Sequence, residues 1–383
     1  MDKKAIVAVI CVVILGAALG AYFIATQAPQ IEQKQSEITV TDLAGRTVTI
    51  KKPVERVMLP CGDTLVDYVV VEGSEEPLKK IVGMGLSDLK RNRKDFYDKY
   101  KEKFPEIENI PDPGSPHGGT FSVEMAISLK PDVVILPMWA YERVKEDISK
   151  LEQAGIPVVV IEYSAANIET HTKSTLLLGK LLGKEKRAQD IMDFYKEQIN
   201  EVYSRLKEID KPKPKVYIEG GFKGTSEYGG TYGSNYGGGA LVVQCGGINI
   251  AEGKVEKLGP INPEYLLDAN PDVIIITGSY WPATPGSMRL GYYADPKESR
   301  ELLRAFTKRP GWDTLNATKN NRVHSIHHMF PWNIFDFAAT QFMAKSFYPE
   351  EFKDLDPEKN LREFHERFLP VNYSGVWMLS LKE

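Results

Sequence analysis

Cysteine is scarce in this chain of 383 residues: there are three, and no two of them form a CxxC pair. Cys11 lies inside the first hydrophobic run, so the rest of the chain can form at most one disulfide, between Cys61 and Cys245. These two cysteines fall in different halves of the chain, which favours two buried free thiols over a bridge. Cysteine content therefore gives no indication of the compartment.

The motifs of several enzyme classes are also missing. The sequence contains no GxSxG nucleophile elbow, no HExxH metal motif and no phosphate-binding P-loop. A metal-dependent hydrolase, the strongest enzymatic alternative, needs several carboxylates at strand ends, and only Asp63 and Glu162 are candidates. The net charge of −4 does not favour nucleic acid as a partner. We therefore expect a chain without catalytic residues.

One long hydrophobic run stands at the amino terminus. Residues 5–25 are 21 positions without a charged side chain, which is long enough to span a bilayer. Lysines precede the run, and this arrangement sends the rest of the chain to the outer side of the membrane. Because residues 18–20 (ALG) form an acceptable cleavage site, a cleaved signal peptide and a permanent anchor both stay open. Residues 1–36 are thus predicted to be a signal or transmembrane anchor followed by a short polar tether.

Beyond residue 37, apolar runs alternate with amphipathic helical stretches, which predicts an α/β fold. The longest runs, such as 132–136 (DVVIL) and 272–276 (DVIII), lack polar alternation, as expected of parallel strands buried on both faces. An earlier segment, 38–50, does alternate and is predicted to be a solvent-facing hairpin. The predicted strands are 56–59, 81–84, 132–136, 157–162, 215–219, 272–277 and 322–326.

An internal repeat divides the chain into two lobes. Residues 124–136 (EMAISLKPDVVIL) and 264–276 (EYLLDANPDVIII) share a glutamate, a short helix and a Pro-Asp pair that opens an apolar strand. Between them, residues 186–209 carry one apolar stripe without glycine or proline, which predicts a helix of about 36 Å. We therefore predict an amino-terminal lobe over 37–185, a connecting helix over 186–209, and a carboxyl-terminal lobe with a helical extension over 210–383.

The chain resembles the class III periplasmic binding proteins, which serve importers of ferric siderophores, haem and cobalamin. The resemblance runs over about 38–350 and rests on the order and spacing of several segments rather than on one motif. These segments are TVTDLAGRTVTIKKPVERV (39–57), IVGMG (81–85), KPDVVIL (130–136), LEQAGIPVVVIE (151–162), LLGKEKRAQDI (181–191), VVQCGGINIAE (242–252), PEYLLDANPDVIII (263–276), WDTLNATKNNRVHSI (312–326) and AKSFYPEEF (344–352).

The resemblance implies two Rossmann-like α/β lobes with central, mainly parallel sheets, joined by one long α-helix, and a ligand cleft between the lobes. It also implies an extracytoplasmic substrate-binding protein of an ABC importer, which delivers its ligand to a permease dimer with cytoplasmic ATPases. The chain departs from the family pattern in 87–104, an inserted helical segment, and in the long tail after Pro349. Both departures bear on the shape of the cleft and of the docking face.

Glu124 and Glu264 occupy the same position in the two repeats. In the resembled family one glutamate on each lobe meets arginines of the permease, which implies a docking role for this pair. The alternative is helix capping, because an acid in the first turn of a helix is stabilised by the helix dipole. Recurrence of the glutamate at the same step in both lobes favours docking.

Aromatic residues follow strand after strand in this chain, at the carboxyl ends where open α/β sheets bind ligands. Such side chains suit a large, flat or conjugated ligand through stacking and apolar burial. The predicted cleft residues are Cys61, Asp63, His117, Trp139, Tyr141, Tyr163, Phe222, Tyr232, Tyr236, Tyr280, Trp281, His327, His328 and Trp332.

The histidines of this set leave two interpretations open. His324, His327 and His328 form a cluster in sequence, but residues 322–326 are predicted to be a strand, which separates them. A single contact from His117, His327 or His328 to the metal of a chelate competes with plain polar lining, which the absence of a nearby ligand set favours. We expect a monomer without a cofactor of its own, whose ligand is a metal chelate: a ferric siderophore first, a cobalamin or other corrinoid second, and haem third.

Overall fold

A computed structural model describes residues 36–164 and 167–382. The amino-terminal run predicted as a signal or anchor lies outside the described residues. Within the described ranges, none of the helices combines the length and the apolar character that crossing a bilayer requires. Cys61 and Cys245 are both buried free thiols, as predicted.

The strands follow the apolar runs of the sequence. They are β1 (Glu37–Thr41), β2 (Thr47–Lys51), β3 (Val57–Leu59), β4 (Ile81–Met84), β5 (Val133–Pro137), β6 (Val158–Ile161), β7 (Lys215–Gly220), β8 (Thr231–Tyr232), β9 (Ile248–Asn249), β10 (Leu258–Gly259), β11 (Val273–Gly278), β12 (Val323–His327) and β13 (Met378–Ser380). All seven strands predicted from the apolar runs are present, within one or two residues at their ends.

The helices lie between these strands. They are α1 (Leu65–Glu72), α2 (Leu86–Asn92), α3 (Lys94–Lys103), α4 (Val123–Ser128), α5 (Met138–Arg143), α6 (Lys145–Gln153), α7 (Ile168–Leu182), α8 (Glu185–Lys207), α9 (Gly237–Gln244), α10 (Pro263–Ala269), α11 (Pro296–Phe306), α12 (Asn316–Lys319), α13 (Asp336–Phe347) and α14 (Pro357–Phe368).

The chain builds two separate α/β sheets, which confirms the predicted fold class. The amino-terminal sheet has the order β4-β3-β5-β6 and is parallel throughout. The carboxyl-terminal sheet has the order β10-β8-β7-β11-β12-β13, with β9 beside β7. Its central strands β7, β11 and β12 are parallel, and antiparallel strands are added at its edges. Strands β1 and β2 form the predicted antiparallel hairpin.

Helix α8 runs between the two sheets along the chain, and its 23 residues are unbroken. Its buried face carries Ala188, Ile191, Tyr195 and Ile199, the stripe that the sequence shows at steps of three and four. At about 1.5 Å per residue the helix is about 35 Å long. It packs against α7 on the amino-terminal side and against α13 on the carboxyl-terminal side. The lobe limits predicted from the sequence stay a prediction.

The two lobes also touch through buried polar groups beside this helix. His171 on α7 and Asp336 on α13 are fully buried, with Nε2 and Oδ2 2.9 Å apart. Burial lowers the pKa of His171, but the carboxylate of Asp336 outweighs burial and the net pKa is raised. Asp67 on α1 accepts a hydrogen bond of 3.3 Å from the backbone N–H of Ile334. The long helix is therefore not the sole contact between the lobes.

The inserted segment and the carboxyl-terminal tail meet each other on the second lobe. Helix α3 places Phe96 edge-on to Tyr292 at 5.2 Å and edge-on to Trp377 at 5.7 Å between ring centroids. Trp377, from the tail, is 1% exposed and contacts His327 at 4.8 Å. Strand β13 then pairs with the edge of β12. A segment that belongs to the amino-terminal lobe by sequence is thus packed into the carboxyl-terminal lobe.

Asp95, also on α3, introduces a pH dependence into this packing. Burial raises the pKa of Asp95 to about 6, against hydrogen bonds from backbone N–H groups that favour the charged form. A carboxyl with a raised folded-state pKa binds more protons in the folded chain than in the unfolded chain. Its contribution to the free energy of unfolding is therefore lost as pH rises through that pKa. We expect Asp95→Asn to gain stability relative to the native chain by about 2–3 kcal/mol between about pH 4 and pH 7.

Thermal or urea unfolding of both proteins at several pH values measures this difference. Asp98→Asn, a change on the same helix at a partly exposed ion pair with Lys94, is the matched control and should leave the pH profile of the native chain unchanged. If the difference in free energy of unfolding between Asp95→Asn and the native protein does not change with pH, the prediction is contradicted.

Candidate functional site

The carboxyl ends of the parallel strands in both lobes carry the predicted cleft residues. Strand β5 ends directly before Met138–Arg143, which holds Trp139, and β11 ends two residues before Tyr280. Strand β12 ends at His327 and is followed by His328 and a short 3-10 turn at Phe330–Trp332. Loops from different strands are thereby brought to one edge of each sheet.

On the carboxyl-terminal lobe, these loops present five ring side chains in two contacting sets, which together we call the aromatic wall. Phe222 and Trp281 meet edge to face with ring centroids 6.1 Å apart. Trp281 in turn lies 5.3 Å from the ring of His328. Tyr236 and Trp332 form a further pair at 4.9 Å. All five side chains are partly exposed, so the wall offers an apolar face with the ring edges and polar tips available to a ligand.

Buried groups hold this wall in place from behind. The hydroxyls of Tyr232 and Thr277 lie 3.1 and 3.0 Å from Nδ1 of His328. Burial lowers the pKa of His328 to about 3, with a further contribution from the charge of Arg93, so this imidazole is neutral at physiological pH. Gly237 allows the ring of Trp332 to approach its backbone: a Cβ there would lie 2.6 Å from the indole, at a φ of +48°.

The amino-terminal lobe contributes a more polar surface. Trp139 is 38% exposed and contacts the ring of His117 at 5.8 Å. His117 Nδ1 lies 3.7 Å from Asp88, which also accepts a short hydrogen bond from Ser115. Burial on its own would raise the pKa of Asp88, but the neighbouring His117 and the hydrogen bond from Ser115 outweigh it, and the net pKa is lowered. The loop over residues 115–119 is therefore anchored by a carboxylate at its base, with His117 exposed beside Trp139.

Arg93, which the sequence did not single out, connects the two surfaces. It is the single residue between α2 and α3, and it is 8% exposed. Its Nε donates a short hydrogen bond to Sδ of Met329 on the carboxyl-terminal lobe and lies 3.7 Å from Oδ1 of Asp63 on the amino-terminal lobe. In sequence Arg93 is one of four cations within residues 90–94, and no local signal distinguishes it from the other three.

Four of the predicted cleft residues are buried, and for them the assignment to the cleft surface needs correction. Cys61 is 2%, Tyr163 5%, Tyr232 1% and His327 0% exposed. Tyr163 directs its hydroxyl to Thr175 Oγ1 at 2.9 Å, away from solvent. Successive residues at a strand end point to opposite faces, so a strand-end aromatic can enter the core as readily as the cleft. Tyr232 supports the aromatic wall from behind, and the other three belong to the core.

Tyr141 and Tyr280 each pack against an arginine side chain. The ring of Tyr141 lies 4.6 Å beneath the guanidinium of Arg46 in the hairpin turn, where the two line a groove of about 670 Å³. The ring of Tyr280 lies 4.3 Å beneath the guanidinium of Arg289, next to a groove of about 460 Å³ shared with α3. We place Tyr280 at the margin of the aromatic wall and Tyr141 outside it.

The histidines clustered in sequence do not converge in space. His324 hydrogen-bonds Ser380 at 2.8 Å, His327 is enclosed by aromatic rings, and only His328 reaches the aromatic wall. Across residues 36–164 and 167–382, no group of three or more His, Cys, Asp or Glu side chains is arranged to hold a metal ion.

Glu124 and Glu264 are both exposed, each in the first turn of its helix. The caps of these helices are made by their neighbours: Ser122 accepts a hydrogen bond from the backbone N–H of Met125, and Asn262 accepts one from that of Glu264. Neither helix needs its glutamate as the cap, and both carboxylates stand at the surface, where Glu124 Oε2 accepts a hydrogen bond of 3.3 Å from Ser122 Oγ.

Comparison with known proteins gives consistent matches over this whole region. A family model described as periplasmic binding protein matches residues 79–328. The crystal structure of a TroA-like periplasmic binding protein FepB from Veillonella parvula is 42% identical, with a TM-score of 0.85, and covers 90% of this chain and 100% of its own.

Two curated proteins are more distant. The molybdate-binding protein MolA of Haemophilus influenzae is 24% identical over 355 residues, which are 87% of this chain and 91% of that protein. An uncharacterised ABC transporter substrate-binding lipoprotein, YvrC of Bacillus subtilis, is 24% identical over 334 residues, 83% of this chain and 87% of that protein.

Proposed function

Because this chain belongs to the periplasmic binding protein family, and so is the extracytoplasmic substrate-binding component of an ABC importer rather than an enzyme, we propose that its cargo is a metal chelate, a ferric siderophore in the first place. We propose further that it works as a monomer, held at the membrane through residues 1–36, and hands its cargo to a permease dimer driven by cytoplasmic ATPases. Glu124 and Glu264 are the proposed docking contacts.

The aromatic wall is the observation that carries this proposal. Its rings form one set of Phe222, Trp281 and His328 and a second set of Tyr236 and Trp332. A surface of this extent matches a chelate with aromatic or conjugated arms, since stacking on several rings needs a ligand of comparable size. Cobalamin or another corrinoid is the second candidate and haem the third, because both are also large and conjugated.

Molybdate, which the relative MolA is named for, is a candidate of a different kind. A small tetrahedral oxyanion is bound by N–H donors, and it has no flat apolar surface to stack on aromatic rings. Arg93 is a feature in its favour, since its guanidinium lies between Met329 of one lobe and Asp63 of the other. The wall makes the chelate the better supported cargo.

Binding of a ferric tris-catecholate to the full-length protein should quench its tryptophan fluorescence with a dissociation constant of about a micromolar or below. Trp139, Trp281 and Trp332 lie at or beside the cleft, whereas Trp312 and Trp377 are 0% and 1% exposed. At a hundredfold excess over the dissociation constant the ligand should also stabilise the fold by about 2.7 kcal/mol, seen as a higher melting temperature.

Trp281→Phe should remove a large part of the quench and weaken binding, because it takes an indole from the centre of the wall. Trp312→Phe is the matched control and should retain both the fluorescence quench and the affinity. Alanine is unsuitable at this position because Trp312 is a core residue. Absence of quench and of thermal shift across ferric siderophores, corrinoids and haem would remove the chelate class. A shift with molybdate alone would replace it by an oxyanion.

A further inference from the structure

Arg93 differs from an ordinary buried arginine in how few of its donors are used. A guanidinium carries five N–H donors. In Arg93, Nε donates to Met329 Sδ and Nη1 donates to the backbone carbonyl of Asn92 at 2.8 Å. Within residues 36–164 and 167–382 no group accepts a hydrogen bond from Nη2, and the Oδ1 of Asp63, 3.7 Å from Nε, is beyond hydrogen-bond distance.

Arg309 shows how this chain satisfies an arginine that is purely structural. Arg309 is 5% exposed, about as buried as Arg93. Its Nη1 and Nη2 form a two-point pair with the carboxylate of Glu219 at 2.7 and 3.0 Å. Its Nε also donates to the backbone carbonyl of Thr225, and its Nη2 to those of Gly224 and Glu227. No atom of Arg93 is among the buried polar atoms of the described residues that lack a partner, so Nη2 reaches solvent, and its N–H groups are available to a ligand.

The neighbours of Arg93 place its unused N–H donors at the proposed ligand site. Its Nε donates to Sδ of Met329, the residue that directly follows His328 in the chain, so the guanidinium lies beside the His328 end of the aromatic wall. Its side chain is 10% exposed, and that of Asp63 is 40% exposed. An anionic ligand lying on the wall therefore finds a preorganised cation at one end, with the side chain already fixed by Met329 and by the turn between α2 and α3.

We propose that Arg93 is a specificity-determining residue that selects an anionic ligand, through hydrogen bonds from its free N–H groups to a negatively charged oxygen. This rests on the proposed function and deepens it: the cargo carries net negative charge, as tris-catecholate chelates do and cationic or neutral trihydroxamate chelates and corrinoids do not. The inserted segment supplies this residue, since Arg93 separates its two helices. Asp63 opposes the same selection, because its carboxylate stands next to the site where the anion is received.

The test measures dissociation constants by tryptophan quenching for a ferric tris-catecholate and a ferric trihydroxamate, with the full-length protein. Arg93→Gln should weaken the tris-catecholate by about thirtyfold or more and the trihydroxamate by less than about threefold. Arg93→Lys keeps the charge but not the planar fork, so its loss should be intermediate. Asp63→Asn should act in the opposite direction and tighten the tris-catecholate by about threefold or more.

Arg91→Gln is the matched control. Arg91 lies two residues away, its side chain is 61% exposed and it pairs with Asp88, so its removal should change either constant by less than about threefold. Circular dichroism and melting curves of every variant show that the fold is retained. An Arg93→Gln variant that weakens both chelates equally, or neither, overturns the inference, and so does a native protein that prefers the trihydroxamate.

A second measurement separates this inference from the proposed function. If the native protein binds no chelate, the chelate proposal fails, and a thermal shift with molybdate then decides the role of Arg93. A shift that disappears in Arg93→Gln and persists in Arg91→Gln supports an anion-selecting Arg93. No shift, or a shift that ignores Arg93, overturns it.

Discussion

Changing Glu124 or Glu264 to arginine is expected to abolish import while leaving the affinity for the ligand in solution unchanged. Both carboxylates are exposed, and neither serves as the cap of its helix, because Ser122 and Asn262 do so. If arginines of the permease receive them, each reversal places like charges together at the docking interface. Such a contact costs several kcal/mol, so we expect uptake to fall by about a hundredfold or more.

Uptake of a labelled chelate by cells, or by proteoliposomes that carry the permease and its ATPases, measures the first half of this prediction, and fluorescence titration measures the second. Glu124→Gln and Glu264→Gln remove charge without reversing it and should have smaller effects. Glu358→Arg, an equally exposed change in the tail helix α14, controls for surface charge in general. Loss of ligand affinity in either arginine variant would assign that glutamate to the cleft instead.

Truncating Trp377 to alanine is expected to have the largest effect on stability of any single change in the tail. Its ring contacts Phe96 of the inserted segment, Tyr292 and Phe335 of the second lobe and His365 of the tail helix. Its Nε1 also donates to the backbone carbonyl of Ser374 at 2.9 Å. Removing a fully enclosed indole leaves a cavity at the meeting point of these segments and should cost about 3–5 kcal/mol.

Equilibrium urea unfolding of native and variant proteins measures that loss. Trp139→Ala is the control: its ring is 38% exposed, so its truncation should change stability by less than about 1 kcal/mol. Because α3 rests on Trp377 through Phe96, the Trp377→Ala variant should also bind the anionic chelate less tightly. A stability loss no larger than that of Trp139→Ala would mean that the tail packs more loosely than its contacts indicate.

The elements of this fold were predictable because the signals that specify them are local. Residues 133–136 of β5 and 273–276 of β11 are apolar at every position, as is typical of strands covered on both faces. The alternating segment 38–50 became the hairpin of β1 and β2. The apolar stripe of α8 repeats at the helical period without glycine or proline, and the helix ran unbroken over 23 residues. The matched step from Glu to Pro in the two repeats predicted the capped helices of Glu124 and Glu264 in the same way.

The order of residues along the chain also predicts which end of each sheet receives the ligand, because the carboxyl ends of parallel strands share an edge. Trp139, Trp281, His328 and Trp332 were found from that rule and are partly or fully exposed there. The rule does not say which strand-end side chain turns inward. Tyr232 and His327 carry the same local signature as their exposed neighbours, and they are buried.

The tertiary structure alone decided which segments that are distant in sequence contact each other. Arg93 lies 236 positions from Met329 along the chain, and their contact depends on the packing of the inserted helices against the second lobe. Trp377 holds that packing in place from the other end of the sequence. Periodicity and caps report forces between residues a few positions apart, so they specify helices and strands. Whether a strand-end ring or a guanidinium is buried depends on which surfaces meet across the whole fold. Local sequence patterns do not specify these long-range contacts.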